Sequence, residues 1–121
     1  MKHLVRSFAH AIKGILFTLR SERNFQVEVA MAGVVFFLMF LLPLSHFENI
    51  VLVIAIMLVL AFELVNTAIE RVMDILKPRV HPYARVVKDV MAGAVFVISF
   101  GALLLGVIIF FPYFLGAGRM F

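Results

Sequence analysis

The sequence predicts an all-α membrane protein, built from an amphipathic N-terminal surface helix and three transmembrane helices. The first observation is composition: 64% of the 121 residues are hydrophobic and 15% are charged, whereas a soluble domain is about 45–50% apolar. The second is a set of three long apolar stretches, each near the roughly 20 residues that a helix needs to cross a bilayer. The third is that the segment before them alternates basic and apolar residues. We expect residues 1–121 to form a single integral membrane domain.

The surface helix is predicted over about residues 2–20, where helical spacing sorts the side chains onto two faces. The apolar face carries Leu4, Phe8, Ala11, Ile12, Ile15 and Leu19. The basic face carries Lys2, Arg6, His10, Lys13 and Arg20. This pattern is typical of a helix that lies in the bilayer interface with its basic face toward anionic headgroups. The alternative is a soluble helix packed on a partner.

Three membrane spans are predicted after the surface helix. They cover about residues 27–47, 49–75 and 84–111. The second is longer than a bilayer requires, so Glu70 and Asp74 near its end should project into the headgroup layer. Pro78 and Pro82 then end this helix, because a proline ring cannot continue a helix interior.

Lysine and arginine gather on one side of the predicted membrane. Ten of them lie on the side opposite Glu48: Lys2, Arg6, Lys13, Arg20, Arg23, Arg71, Lys77, Arg79, Arg85 and Lys88. Only Arg119 shares the Glu48 side. Because cytoplasmic loops carry the excess of Lys and Arg, we expect the N-terminus and the loop at residues 77–81 to lie in the cytoplasm. The net charge of +4 therefore indicates a membrane face and no nucleic-acid partner.

A polar stripe marks the cytoplasmic half of the second span. At about 100° per residue, Glu63, Asn66, Glu70 and Asp74 fall within roughly 80° of one another. Glu63 directly follows the uncharged run 50–62, and an ionisable group at membrane depth is a candidate functional group. Glu63 is the candidate general base for a lipid headgroup hydroxyl, and Asn66 can orient either group. The alternative is a structural hydrogen bond between helices.

Glu22 and Glu70 are the candidate metal ligands. Mg²⁺ prefers oxygen ligands and is usually held by one or two carboxylates together with substrate phosphates. Glu22 precedes the first span and Glu70 lies near the cytoplasmic end of the second, so both can reach one phosphate cluster. The alternative is that both are helix-end charges paired with Arg23 or Arg71. The chain has no cysteine, which excludes a thiolate metal site.

Lys88 and Asp89 open the third span at the same boundary. A lysine there suits the neutralisation of phosphate charge, although a snorkelling interfacial lysine with a helix-start aspartate has the same pattern. His10 and His81 are also polar at this boundary. The phosphate-binding and catalytic motifs of soluble kinases are absent from the sequence. Any phosphoryl transfer must therefore use a different kind of site.

Two other classes of protein fit parts of the pattern. In a small transporter or channel, Glu63 would be an intramembrane proton or cation site. Such a protein has no need of the Glu22 and Glu70 pair beside Lys88. A non-enzymatic assembly subunit would carry several carboxylates on one stripe at a high energetic cost.

The motifs resemble those of a known family. Residues 63–70 (ELVNTAIE), then Asp74, His81-Pro82 and residues 84–95 (ARVVKDVMAGAV), closely resemble the prokaryotic diacylglycerol kinase / undecaprenol kinase family. The resemblance extends over about residues 8–112. Residues 7–14 and 20–25 look more like the undecaprenol kinase branch.

The resemblance implies a homotrimer whose active sites are shared between neighbouring subunits. It implies an enzyme that transfers the γ-phosphate of ATP to a membrane lipid hydroxyl, with Mg²⁺ as cofactor, undecaprenol as first acceptor and diacylglycerol as second. Glu63 would be the catalytic base, and Glu22 and Glu70 would hold the metal. The implied nucleotide contacts are His10, Arg79, Val80, His81, Lys88 and Asp89. The implied lipid contacts are Asn66, Glu28 and Ala92.

Overall fold

The computed structural model describes residues 1–116, except for the side chains of residues 77–81. All regular secondary structure among these residues is α-helical: α1 (Lys2–Ser21), α2 (Arg23–Leu41) and α3 (His46–Phe114). The predicted all-α class is thus confirmed. The first apolar helix begins and ends earlier than the predicted span 27–47, because the residues after Leu41 leave the helix ahead of Pro43.

The corner between α1 and α2 is held by local hydrogen bonds. Glu22 has extended backbone dihedrals (φ −114°, ψ 115°), yet its N–H still donates to the Thr18 carbonyl at 2.8 Å. The Ser21 hydroxyl donates to the Phe17 carbonyl at 2.8 Å, and the Gln26 side-chain amide donates to the Leu19 carbonyl at 2.9 Å. These bonds satisfy carbonyls that a helix end otherwise leaves unpaired. They fix the position from which the Glu22 side chain projects.

α3 begins with a capping box. The Ser45 hydroxyl accepts the Glu48 N–H at 3.1 Å, and the Glu48 carboxylate accepts the Ser45 N–H at 2.9 Å. Two backbone donors at the helix start are satisfied reciprocally in this way. The start of α3 is therefore sharply defined.

α3 is a hairpin of two antiparallel arms. A straight helix of 69 residues would extend roughly 100 Å at 1.5 Å per residue. Yet the Tyr113 hydroxyl donates to the Glu48 carboxylate at 2.6 Å, and the Lys88 ammonium lies 3.2 Å from the Asp74 carboxylate. The chain therefore reverses between Asp74 and Lys88. The prediction that Pro78 and Pro82 end the helix is wrong, because helical backbone continues from His46 to Phe114 and the reversal takes place without a break in it. We call His46–Leu76 the first arm and Pro82–Phe114 the second arm.

The three long helical segments expose most of their apolar side chains. Leu52, Ile109 and Phe110 form the principal buried cluster, in which both arms and the end of α2 pack together. Phe40 and Phe47, by contrast, are 87% and 74% exposed. Contiguous apolar surface of this extent is not found on soluble monomers. Three segments, Arg23–Leu41, His46–Leu76 and Pro82–Phe114, are long and apolar enough to cross a membrane, which indicates a membrane protein.

Candidate active site

Glu63 is a buried carboxylate on the first arm. Only 3% of the residue is exposed, and Thr67, one turn along, is 4% exposed. The Thr67 hydroxyl donates to the Glu63 backbone carbonyl at 3.0 Å, so it leaves the carboxylate alone. The Glu63 carboxylate forms no hydrogen bond or ion pair with any described residue. An unpaired acid in such a position is free to interact with a substrate.

Three more carboxylates influence Glu63 electrostatically. Glu28 of α2, Glu22 of the α1–α2 corner and Glu70 of the same arm all lie within electrostatic range of it. The sequence predicts carboxylates from separate helices near the cytoplasmic boundary, with Glu63 about two helical turns deeper than Glu70. Because like charges in a low-dielectric setting repel one another strongly, the cluster favours a cation or a proton.

Arg71 ties the α1–α2 corner to the first arm. Its guanidinium lies 2.6 Å from one oxygen of Glu22, and its central carbon lies 5.5 Å from the centre of the Phe17 ring. The guanidinium therefore combines an ion pair with a cation–π contact. The sequence named Arg71 only as an alternative partner of the Glu22 or Glu70 charge. The feature of the sequence that could have identified Arg71 is its position directly after Glu70, on the helix that carries the polar stripe.

Glu70 is oriented by its own helix. The Asn66 side-chain amide N–H donates to one oxygen of Glu70 at 3.2 Å, across one helical turn. The amide oxygen of Asn66 is buried and has no hydrogen-bond partner among the described residues. Asn66 thus supports Glu70 and keeps an acceptor available.

The donor set fits a partly protein-held Mg²⁺. Glu22 and Glu70 each have one oxygen engaged by a side chain, with Arg71 and Asn66 respectively, and one oxygen that no described residue engages. No group of three or more His, Asp or Glu side chains in the described part of the chain is placed to enclose a metal by itself. Mg²⁺ is usually held by one or two carboxylates, with phosphate oxygens and water completing its coordination. A closed structural metal site would need more ligands than these.

Lys88 pairs with Asp74 across the hairpin, at 3.2 Å. This contact gives Asp74 a partner that the sequence did not predict for it. His10, Asp89 and Ala92 are exposed on the single chain, so each is accessible to a ligand or to another subunit. The predicted nucleotide contacts Arg79, Val80 and His81 have side chains outside the described residues.

Comparison with known proteins identifies the family. The sequence model described as prokaryotic diacylglycerol kinase matches residues 9–110. The undecaprenol kinase of Bacillus subtilis is 39% identical over 93% of this chain and 91% of that protein. The diacylglycerol kinases of Synechocystis and Haemophilus influenzae are 32% and 29% identical, over 91% and 80% of this chain and 63% and 82% of those proteins. The resemblance seen in residues 63–70 and 84–95 is therefore confirmed, and the chain belongs to the prokaryotic diacylglycerol kinase family.

Proposed function

We propose that this protein is a lipid kinase that transfers the γ-phosphate of ATP to the hydroxyl of undecaprenol, giving undecaprenyl phosphate. The observation that carries the proposal is the buried Glu63 carboxylate, which has no partner among the described residues and lies within range of two candidate metal ligands. Undecaprenol is the preferred acceptor because the relative that is 39% identical is an undecaprenol kinase. Diacylglycerol, the acceptor named for other relatives, is the second candidate.

Glu63 acts as the general base. Its carboxylate takes the proton of the lipid hydroxyl while the hydroxyl oxygen forms a bond to the γ-phosphorus. The bond from that phosphorus to the bridging oxygen of the β-phosphate breaks, and ADP leaves with the electron pair. Glu63 then returns its proton to water. Its position suits this role, because no described residue competes with the hydroxyl proton for the carboxylate.

The phosphates are held at the level of Glu22 and Glu70. These two residues would bind Mg²⁺, which when bound neutralises phosphate charge and favours transfer. Arg71 positions the Glu22 carboxylate for this purpose. The remaining proposed nucleotide contacts are His10, Arg79, Val80, His81, Lys88 and Asp89, and the proposed lipid contacts are Asn66, Glu28 and Ala92.

The protein lies in the bacterial cytoplasmic membrane as one domain of residues 1–121, with its N-terminus and active site on the cytoplasmic side. α1 rests on that surface with its apolar side chains inserted, a role supported by the exposure of Leu4, Phe8 and Ile12 on the single chain. Three copies assemble as a homotrimer. This assembly would cover part of the exposed apolar surface and add residues from a neighbouring subunit to each site.

The test is transfer of radiolabelled γ-phosphate in mixed micelles that contain undecaprenol or diacylglycerol at equal mole fraction. We expect Mg²⁺-dependent labelling of both lipids, with the larger kcat/KM for undecaprenol. A larger kcat/KM for diacylglycerol would show that diacylglycerol is the preferred acceptor. No labelled lipid with either acceptor would refute the kinase proposal.

A further inference from the structure

Ser99, on the second arm, lies at the same height as Glu63 on the first. In an antiparallel pair of helices, a step forward along one arm is matched by a step back along the other. From the Asp74–Lys88 contact, Glu63 and Ser99 are equally far along their respective arms. Counting from the Glu48–Tyr113 contact at the other end gives the same pairing, shifted by a single position. The two ends of the hairpin therefore agree on this register.

Ser99 also points toward the first arm. Lys88 and Tyr113 both contact that arm, and at about 100° per residue Ser99 lies within roughly 20° of Lys88 and 40° of Tyr113 around the helix. On the first arm, Glu63 falls within roughly 20° of Asp74. Height and direction therefore place Ser99 opposite Glu63.

The Ser99 hydroxyl oxygen is buried, and it has no hydrogen-bond partner among the described residues. Hydroxyl groups in helices usually donate to the carbonyl four residues back. Thr18, Ser21 and Thr67 all do so here, at 3.0, 2.8 and 3.0 Å. Ser99 is thus an exception, and an unsatisfied polar group in apolar surroundings is costly. Asn66 Oδ1, one helical turn from Glu63, is unsatisfied in the same way.

We propose that Ser99 binds the acceptor hydroxyl, donating a hydrogen bond from its Oγ to the oxygen that attacks phosphorus. This inference rests on the proposed lipid kinase function and adds a binding residue to its site. An alcohol oxygen carries one proton and two lone pairs. The proton goes to Glu63, one lone pair accepts the Ser99 hydrogen bond, and the other lone pair attacks. Ser99 therefore fixes the rotation of the hydroxyl about its C–O bond.

A third buried polar atom, Asn49 Oδ1, also has no partner in the described part of the chain, but it does not belong to this group. Asn49 lies near the start of the same arm as Glu63, roughly 20 Å away from it along the helix. It lies at the other end of the hairpin, where the Tyr113 hydroxyl donates to Glu48. Only Asn66 and Ser99 share the depth of the base.

Steady-state kinetics of the full chain in mixed micelles, with undecaprenol and ATP varied separately, test the proposal. Ser99→Ala should lower kcat/KM for the lipid by about 5–10-fold, as expected for one lost hydrogen bond, and leave KM for ATP within twofold. Ser99→Thr keeps the hydroxyl and should retain most of the activity. The double change Ser99→Ala with Ala102→Ser moves the hydroxyl one turn along the same face and should not restore the loss. The thiol of Ser99→Cys is a weaker hydrogen-bond donor of similar size, so its kcat/KM for the lipid should fall between those of wild type and Ser99→Ala. This variant replaces Ser99→Ala in the test if the alanine variant does not fold.

Three results would overturn the inference: wild-type lipid kinetics in Ser99→Ala, an equal effect on lipid and ATP, or rescue by Ala102→Ser. These three results bear on Ser99 when the wild-type enzyme phosphorylates lipid in the same assay. If wild type phosphorylates neither lipid, or Glu63→Gln is as active as wild type, it is the proposed function that fails.

Discussion

The α3 hairpin carries two glutamates, Glu48 and Glu63, whose carboxylates differ in whether they have hydrogen-bond partners. At one end, the Glu48 carboxylate accepts the Tyr113 hydroxyl at 2.6 Å and the Ser45 N–H at 2.9 Å. In the half of the hairpin nearer the other end, which we call the Glu63 end, Glu63 is more deeply buried than Glu48 and its carboxylate pairs with no described residue. Carboxylates in proteins are usually paired when buried. The Glu48 carboxylate therefore contributes to the stability of the hairpin, whereas the Glu63 carboxylate can interact with a substrate.

The packing follows the same division. The buried cluster of Leu52, Ile109 and Phe110 lies at the Glu48 end, where α2 closes against both arms. The polar contacts at the other end join elements through long charged side chains, as in the Arg71–Glu22 and Lys88–Asp74 pairs. These pairs are partly exposed, so each contributes little to stability. Changes at the two ends should therefore separate activity from stability.

Glu63→Gln should have the largest effect on activity. An amide cannot accept the hydroxyl proton, and general-base catalysis contributes about 10²–10⁴-fold to a rate. We expect turnover to fall by at least about 100-fold, while ATP binding and unfolding in detergent stay close to wild type. Glu48→Gln is the matched control, because it makes the same chemical change at the other end, and its kcat should stay within about twofold. Comparable loss of kcat in both variants would contradict the division between the ends.

Glu22→Gln and Glu70→Gln should act through Mg²⁺. Each replaces an anionic ligand by a neutral one, so the Mg²⁺ concentration for half-maximal activity should rise by about 10–100-fold. A Mg²⁺ titration at fixed ATP measures the shift for each variant. Glu28→Gln is the internal comparison: it removes a nearby charge from the same cluster and should affect the KM for lipid more than the Mg²⁺ requirement. An unchanged Mg²⁺ requirement in both Glu22 and Glu70 variants would exclude them as ligands.

Arg71→Ala should give a smaller effect of the same kind. Arg71 orients Glu22 without itself holding metal, and loss of such a supporting contact typically costs about 10–100-fold in metal affinity. Because the Arg71–Glu22 pair is partly exposed, we expect the lower end of this range. Arg71→Lys restores the positive charge but not the planar guanidinium over Phe17, so it should recover only part of the loss. Titration with Mg²⁺ distinguishes this role from a structural one, since a loosened corner would lower stability and leave the Mg²⁺ requirement unchanged. A variant with normal Mg²⁺ dependence and normal stability would show that the contact has no role in either.

Most of the site residues that could be predicted from the sequence follow from helical periodicity. It places Glu63, Asn66 and Glu70 on one stripe. The sequence assigned Asn66 to Glu63 or to the lipid hydroxyl, whereas its side-chain N–H donates to Glu70, one turn along. The contacts it could not predict join distant parts of the chain. Arg71 and Glu22 are 49 residues apart, and the sequence left Arg23, directly after Glu22, as an equally plausible partner.

The sequence also does not determine the register of the hairpin, that is, which residues of the two arms lie opposite each other. The apolar runs predict two antiparallel spans, but they do not say which residue faces which. The pairing of Asp74 with Lys88, and the position of Ser99 opposite Glu63, depend on this register. Generic apolar side chains do not specify it, whereas polar contacts at the two ends do.

Tyr113→Phe should give the smallest effect, confined to stability. It removes the hydroxyl that donates to Glu48, a hydrogen bond to a charged acceptor that water can partly replace, and it keeps the aromatic ring. We expect a lower free energy of unfolding in mixed micelles, measured by titration with a denaturing detergent, and unchanged kcat on lipid. Tyr83→Phe is the matched control, because Tyr83 is 73% exposed and its hydroxyl bonds to no described residue, so its unfolding should match wild type. If Tyr113→Phe instead lowered kcat at normal stability, the Glu48 end would contribute to catalysis, and the separation of a stabilising end from a reactive one would not hold.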